Sequence, residues 1–361
     1  MKSRNYGIDL LRILSMMMVV LLHILGNGGI LSSTPSLSKN YYIAWFLEIS
    51  AYCAVNCYAL ISGYVGINSH YKYSNIIQLW LQVFFYTTLI TLFFYHIAPL
   101  QFDTNSWIKA FLPVTHNQYW YFTAYFCMFF FIPYFNILLN QCTKGQMTLL
   151  LLTMFLFFSI LPTFCQTDLF QTANGYSFIW LCILYLTGGY IKKYYSNISL
   201  HKRYIFSLYL ICVFLTLITI YIFEFPGIPK PSFIQSGDFL CYYTSPTIVV
   251  AGICLLIFFA NLHLNIFFQK IIKQLAPLSF GVYLIHTQPF IWSRMTNYFV
   301  EYATYSSFKM LLHIFMALLI IYFTCSILEY FRSLLFRICH INVLCKKIDK
   351  KICFPVFSPK S

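Results

Sequence analysis

Residues 8–25 read IDLLRILSMMMVVLLHIL, an apolar run that carries three ionisable side chains, Asp9, Arg12 and His23. About 20 such residues in a helix cross a hydrocarbon core of about 30 Å. The run follows Lys2 and Arg4, so it has the outline of a secretory signal. The ionisable groups within it, and the lack of a small-residue cleavage site after it, point instead to a retained first span. Gly26-Asn27-Gly28-Gly29 then reads as the helix stop.

Working outward, the rest of the chain repeats this character. Of 361 residues, 60% are apolar and 9% charged, against about 25% charged in soluble domains. So few charges cannot build a water-facing surface, and lipid must be the main solvent. Further apolar segments run near 43–67, 76–98, 119–139, 147–164, 174–191, 204–224, 241–261, 275–294 and 308–331. The fold class expected is all-α: a polytopic membrane protein of about ten transmembrane helices. The segment at 275–294 is the weakest, interrupted by Pro277, Ser279, His286, Gln288 and Pro289. The longest connections lie near 26–42, 99–118 and 225–240. With no internal repeat or polar linker, residues 1–340 read as one membrane domain and 341–361 as a basic cytoplasmic tail.

The formal net charge is +14. In a soluble chain this would suggest nucleic acid, but here the bases sit in short loops and tails. With both termini cytoplasmic, only Lys39, Lys109, Lys230, Arg294 and Lys309 fall in outer segments, and Arg12 lies within the first span. Every other Lys and Arg falls inside. The acids Asp103, Asp168, Glu224, Asp238 and Glu301 lean outward. That bias supports both the count and the orientation. The tail lysines Lys346, Lys347, Lys350, Lys351 and Lys360 also suit anionic lipid heads. The 13 cysteines lie mostly within apolar runs and form no metal-type pair, so neither a disulfide framework nor a metal is inferred.

An ionisable residue inside a span costs roughly 2.5–3.5 kcal/mol, so it needs a partner or a task. At about 100° per residue, Arg12 and His23 point within about 20° of each other and lie about 16 Å apart along the axis. Asp9 lies about 60° from Arg12, so all three share a face. A guanidinium near the cytoplasmic mouth can hold a phosphate. An imidazole deeper in can take a proton from a hydroxyl. Asp9 can hold Arg12 as an i, i+3 partner. The plainer reading has Arg12 snorkelling to the interface and His23 bonding across helices. Three such groups on one face favour function.

At these residues the sequence resembles the acyltransferase 3 family of membrane acyltransferases. Asp9-Leu10-Leu11-Arg12 with His23 is similar to its opening motif. Asn56-Cys57-Tyr58-Ala59-Leu60-Ile61-Ser62-Gly63-Tyr64 is similar to an F-x-x-I-S-G-Y second span. Gln118-Tyr119-Trp120-Tyr121-Phe122 resembles the motif opening the fourth. Ser279-Phe280-Gly281-Val282-Tyr283-Leu284-Ile285-His286 is similar to an S-x-G-I-Y-L-I-H segment near the end. The resemblance implies a ten-span domain in the plasma membrane. Such a domain would move an acyl group, most often acetyl, from cytoplasmic acyl-CoA to hydroxyls of cell-surface or lipid-linked glycans, with Arg12 and His23 essential. It implies a stand-alone form with no permanently bound cofactor, acyl-CoA being a donor substrate. One departure stands out: members often carry several arginines where the third span begins, and here only Lys72 is basic. Lys192, Lys193, Lys202 and Arg203 either substitute for them or simply set topology.

The catalytic candidates are therefore His23, Arg12 and Asp9. The substrate-binding candidates are Arg12, Glu48, Asn56, Trp120 and His286. Glu48 orients His23, binds an acceptor hydroxyl, or is an interfacial acid held in water. Asn56 contacts substrate or lets helices approach, together with Ser62 and Gly63. Trp120, beside Tyr119 and Tyr121, belongs to an interfacial belt or stacks on a sugar. His286, in the least regular span, lines a cavity or makes a structural hydrogen bond. Glu329 reads as interfacial. The alternatives from other classes are a transporter or flippase for a glycan or small metabolite, and a membrane scaffold with Arg12 and His23 purely structural. Transfer or hydrolysis of acetyl-CoA by purified protein would decide for the enzyme.

Overall fold

The computed structural model describes residues 4–98, 104–195, 201–224 and 237–351. Lys2, Asp103, Lys230 and Lys360, and the side chains of Lys350 and Lys351, on which part of the charge argument rests, lie outside the described residues. The chain is an all-α polytopic membrane protein, with no strand among the described residues.

The first helix, α1 (Tyr6–Leu25), starts where Asn5 Oδ1 accepts from the amide of Ile8, satisfying one of the donors orphaned at a helix start. It ends at Gly26, and after Gly29 a single turn, α2 (Ile30–Ser33), follows. The second apolar segment forms two helices, α3 (Lys39–Tyr52) and α4 (Ala54–Gly66). They part at Cys53, where the hydroxyl of Tyr209 donates to the Ser50 carbonyl, the acceptor a continuous helix would offer to Ala54. A side chain inserted into the ladder is a recognised cause of a kink.

Next come α5 (Tyr73–Ile97), a short amphipathic α6 (Thr104–Phe111) and α7 (Trp120–Gln141). The helix α8 (Lys144–Phe155) opens on a capping box between Thr143 and Gln146. It passes through a π turn at Leu156–Ile160 into α9 (Leu161–Cys165). Pro162 has no amide hydrogen to give the preceding turn, so the ladder is irregular there. Then follow α10 (Phe178–Tyr195), α11 (Lys202–Glu224), α12 (Pro246–Ala260) and amphipathic α13 (Ile266–Leu275). The short α14 (Ser279–His286) and α15 (Pro289–Met295) precede the long α16 (Ser307–Ile338) and a final α17 (Ile341–Lys351).

By length and composition, seven of these segments can cross a membrane: Tyr6–Ser33, Lys39–Gly66, Tyr73–Ile97, Trp120–Gln141, Lys144–Cys165, Lys202–Glu224 and Ser307–Ile338. The other three of the ten expected segments take different forms. The helix α10 ends in Lys192 and Lys193 and is buried by protein along most of its length. The helix α12 has 15 residues, about 22 Å. The segment at 275–294 breaks at Thr287 and Gln288 into α14 and α15, with Pro289 opening the second.

The packing places α1 at the centre, against α3, α4, α12, α14 and α16. Large apolar side chains exposed on α11 (Ile211, Phe214, Ile218) and α16 (Phe315, Ile320, Ile327) give those helices a lipid-facing side. The tightest contact joins α4 and α10. A Cβ on Gly63 would lie 1.8 Å from the Tyr185 carbonyl oxygen, and one on Gly188 would lie 2.0 Å from that of Leu60. Small residues allow this backbone approach, which in lipid replaces the hydrophobic driving force available in water. At the end, α17 packs on α5, and the Asp349 carboxylate accepts from the amide and hydroxyl of Ser74 in the first turn of α5. Part of the tail is therefore folded against the membrane domain. Glu329, read from sequence as interfacial, is instead 1% exposed and bonded to Arg332 and the Tyr86 hydroxyl. Its partners lie on its own last turns and on α5, which composition alone does not reveal.

This packing yields a direct test. Gly63→Ala or Gly188→Ala should destabilise the protein in detergent by about 1–3 kcal/mol or more, read as a lowered Tm. Gly145→Ala, where nothing lies within 4 Å of the new Cβ, should not. Equal behaviour of the three variants would show that α4 and α10 do not meet in this way.

Candidate active site

Spacing places Asp9, Arg12 and His23 on one face of α1, and of these three His23 lines a cavity. Arg12, Met16, Val19 and His23 follow one another in a stripe at intervals of four, three and four residues, and the last three line this cavity, of about 530 Å³. That is the size of small-molecule sites in general. Arg12 is not part of the cavity wall. It stands one turn before Met16, with its side chain 32% exposed. Its Nη1 donates to Asp9 Oδ1 at 2.8 Å, and Asp9 Oδ2 accepts from Arg4 Nε. Asp9 is buried and acts as the anchor of the pair. The remaining donors of the Arg12 guanidinium make no hydrogen bond among the described residues. The Arg12 carbonyl accepts from the Tyr58 hydroxyl at 2.7 Å, tying α1 to α4.

His23 sits at the other end of the stripe. Its Nδ1 lies 2.9 Å from His286 Nε2, and His286 Nδ1 lies 2.6 Å from the Val282 carbonyl oxygen. A carbonyl can only accept, so His286 carries its proton on Nδ1. With both rings neutral, His286 Nε2 is then an acceptor and His23 donates to it from Nδ1. The lone pair of His23 Nε2 is left bare in a ring that lines the cavity. A hydrogen bond of about 0.5–1.5 kcal/mol favours this tautomer roughly 2- to 10-fold. His286 is 1% exposed and does not itself line the cavity.

The turn after α1 completes this arrangement. Gly29 adopts φ +88°, in the left-handed region that glycine enters freely. The carbonyls of Asn27 and Gly28 accept from the amides of Asn297 and Phe299, and Asn27 Nδ2 donates to the Trp292 carbonyl. This strap brings Trp292 edge-on to His23, with ring centroids 4.6 Å apart. Trp292 carries no sequence signal, because it meets His23 only through the fold.

The opposite wall is aromatic. Trp120 packs on Tyr176 at 4.6 Å, Tyr176 on Tyr243 at 4.8 Å and Tyr243 on Tyr52 at 5.0 Å. The Tyr119 hydroxyl donates to the Leu284 carbonyl and joins α7 to α14. Trp120 is therefore a cavity residue. Asn56 is not brought to the wall. It is fully buried, its Oδ1 accepting from Trp180 Nε1 and its Nδ2 donating to the Tyr243 carbonyl, so it holds the loop that carries Tyr243. Glu48 lines the cavity and is 7% exposed, not an acid held in water. It makes no bond to His23, whose partner is His286. Gln118, quoted for its motif but given no role, lines the same cavity.

Of the basic residues weighed as substitutes at the third span, Lys193 is engaged. Its Nζ donates to the carbonyls of Leu139, Asn140 and Cys142 at the end of α7. The Lys192 ammonium lies over the Tyr64 ring.

A family model described as an acyltransferase domain matches residues 5–330, a range that contains every cavity residue described at this site, together with Asp9, Arg12 and His286. No curated protein and no solved structure matches the chain. With its motifs, its helical membrane fold and this match in agreement, the chain belongs to the acyltransferase 3 family and is a membrane acyltransferase.

Proposed function

We propose that the protein moves an acyl group, most simply acetyl, from cytoplasmic acyl-CoA to a hydroxyl of a cell-surface or lipid-linked glycan in the plasma membrane, with both termini cytoplasmic. The observation that carries this reading is the bare Nε2 of His23 in a cavity whose wall continues along α1 toward Arg12. The donor's phosphates rest near Arg12, whose planar fork suits them, and its thioester arm runs past Met16 and Val19. Lys346 and Lys347, exposed on α17, add charge near the start of α5, where only Lys72 is basic in sequence. The acceptor enters between Trp120, Tyr176 and Tyr243, whose faces suit a sugar ring.

In the transfer step, His23 Nε2 takes the proton of the acceptor hydroxyl as its oxygen attacks the thioester carbonyl carbon. The resulting tetrahedral species collapses with cleavage of the carbon–sulfur bond. The departing thiolate recovers the proton from His23, giving an ester and free CoA. His286 holds the imidazole by its far nitrogen throughout and stabilises the charge it gains.

His23→Ala should lower transfer to the acceptor by at least about 100-fold while the protein still purifies as a folded species. A His23→Ala protein with the parent's rate would remove the mechanism. His286→Ala should reduce kcat by a smaller factor, about 2- to 10-fold, as the hydrogen bond that favours the tautomer and steadies the imidazolium is lost.

Arg12→Ala should act on the donor. The loss of one charge-assisted hydrogen bond, about 1.5–3 kcal/mol, should raise the KM for acyl-CoA about 10-fold or more. Asp9 keeps Arg4 as a partner in that variant, so the fold should survive. An unchanged donor KM, with kcat reduced instead, would place Arg12 elsewhere in the cycle.

A further inference from the structure

The relay from Val282 through His286 to His23 is complete without Glu48. Yet among the described residues Glu48 is the only acid that lines the cavity, and it is more than nine-tenths buried. Its Oε2 has no hydrogen-bond partner, and it takes part in none of the ion pairs among the described residues. Gln118, two residues before Trp120 of the aromatic wall, also has a buried Oε1 without a partner among the described residues. Asn56 nearby is satisfied by Trp180 and Tyr243, whereas Trp45 Nε1 and Gln288 Nε2 are not; of the residues with such an unpartnered atom among the described residues, only Glu48 and Gln118 line the cavity. A buried carboxyl with nothing to bond to is expensive at membrane depth. The fold tolerates the cost at a residue that borders an empty space of ligand size.

Both residues line the cavity, and neither the Glu48 carboxyl nor the Gln118 amide is bonded among the described residues; a hydroxyl, which both donates and accepts, suits either group. The walls beside them are aromatic: Tyr52, Trp120, Tyr176 and Tyr243. A molecule that offers several hydroxyls around a flat, partly apolar ring satisfies both demands. A fatty alcohol brings one hydroxyl, and that one is used by His23. Resting on the transferase reading above, we infer that Glu48 and Gln118 are specificity-determining contacts to hydroxyls of a pyranose acceptor other than the one that is acylated.

A site built to bond a hydroxyl strongly rejects the analogue that lacks it, because the protein group is orphaned again. The test uses full-length protein in detergent with acetyl-CoA. The acceptors are methyl β-glycosides of glucose, galactose and N-acetylglucosamine, with their mono-deoxy derivatives. Wild-type protein should discriminate against one deoxy position by about 100-fold in kcat/KM. Glu48→Leu should reduce that ratio to about threefold or less while leaving the others and the acetyl-CoA KM in place, and Glu48→Gln should restore part of it. Gln118→Leu should relax a different position.

Stability supplies a second readout. Glu48→Leu replaces an unpartnered buried carboxyl with an apolar group and should leave Tm unchanged or raised. Deoxy ratios that survive Glu48→Leu, or a common slowing of all acceptors together with a lowered Tm, would overturn the inference in favour of a structural acid. Consumption of acetyl-CoA with no glycoside acylated would overturn the pyranose assignment alone. Absence of any acetyl-CoA consumption would overturn the transferase reading beneath it.

Discussion

In a bilayer interior no water stands by to satisfy a polar group, so every buried donor and acceptor must find its partner in the protein or in a ligand. That constraint sorts the polar residues of this chain. Asp9 is held by two arginines, Glu329 by Arg332 and Tyr86, Asn56 by Trp180 and the Tyr243 carbonyl, and Lys193 by three carbonyls at the end of α7. The last three are consumed in holding helices together, and Asp9 in fixing the arginines beside it. His23 is held on one nitrogen only, by His286. A half-satisfied imidazole bordering a cavity is a poor structural element and a good base.

The same constraint explains where the helices break. Irregular backbone at membrane depth survives only where protein or a cavity receives its freed groups. The break between α3 and α4 puts Tyr52 and Val55 on the cavity wall, and the break between α14 and α15 puts Thr287 and Pro289 there. The π turn of the fifth segment offers the Ser159 hydroxyl to the Thr244 carbonyl, beside Tyr243. Two of these breaks border one space, which α1 and the start of α7 also line. This is also why span counting from hydropathy and span counting from helix length diverge at α10, α12 and the α14–α15 pair. Helices that face other helices and a cavity need not be long or uniformly apolar, because lipid touches little of them.

Sequence reading could align Arg12 with His23 because a single helix converts spacing directly into geometry; that Met16 and Val19 lie between them on a cavity wall needed the fold. It reached Asp9 for the same reason, as an i, i+3 partner. It did not reach the bond between His23 and His286, which are separated by 263 residues; nothing in local pattern says which side chains of distant spans will touch. Asn56 and Glu48 show the limit from the other side. Both are polar residues in apolar surroundings, and in sequence they look alike. Only the coordinates show that one has its amide fully bonded and the other has an oxygen with no partner. Trp292 was invisible because its position depends on a strap from the turn after α1.

The third span carries the clearest departure from the family pattern, and the fold suggests how it is compensated under the proposed reading. The first turn of α5 presents unsatisfied amides and a positive dipole end, which would attract a phosphate. Asp349 of α17 already accepts from the Ser74 amide and hydroxyl there. A carboxylate in that place repels a second anion, so the helix end cannot itself be the phosphate seat. What Asp349 brings with it is α17, whose exposed Lys346 and Lys347 stand within a turn of it in sequence. The anchor is acidic and its neighbours are basic. Under that reading, α17 brings exposed positive charge to the start of α5, where the third span itself has only Lys72. A charge requirement met by docking leaves no local trace in the third span, which is why only Lys72 was found when that stretch was read alone.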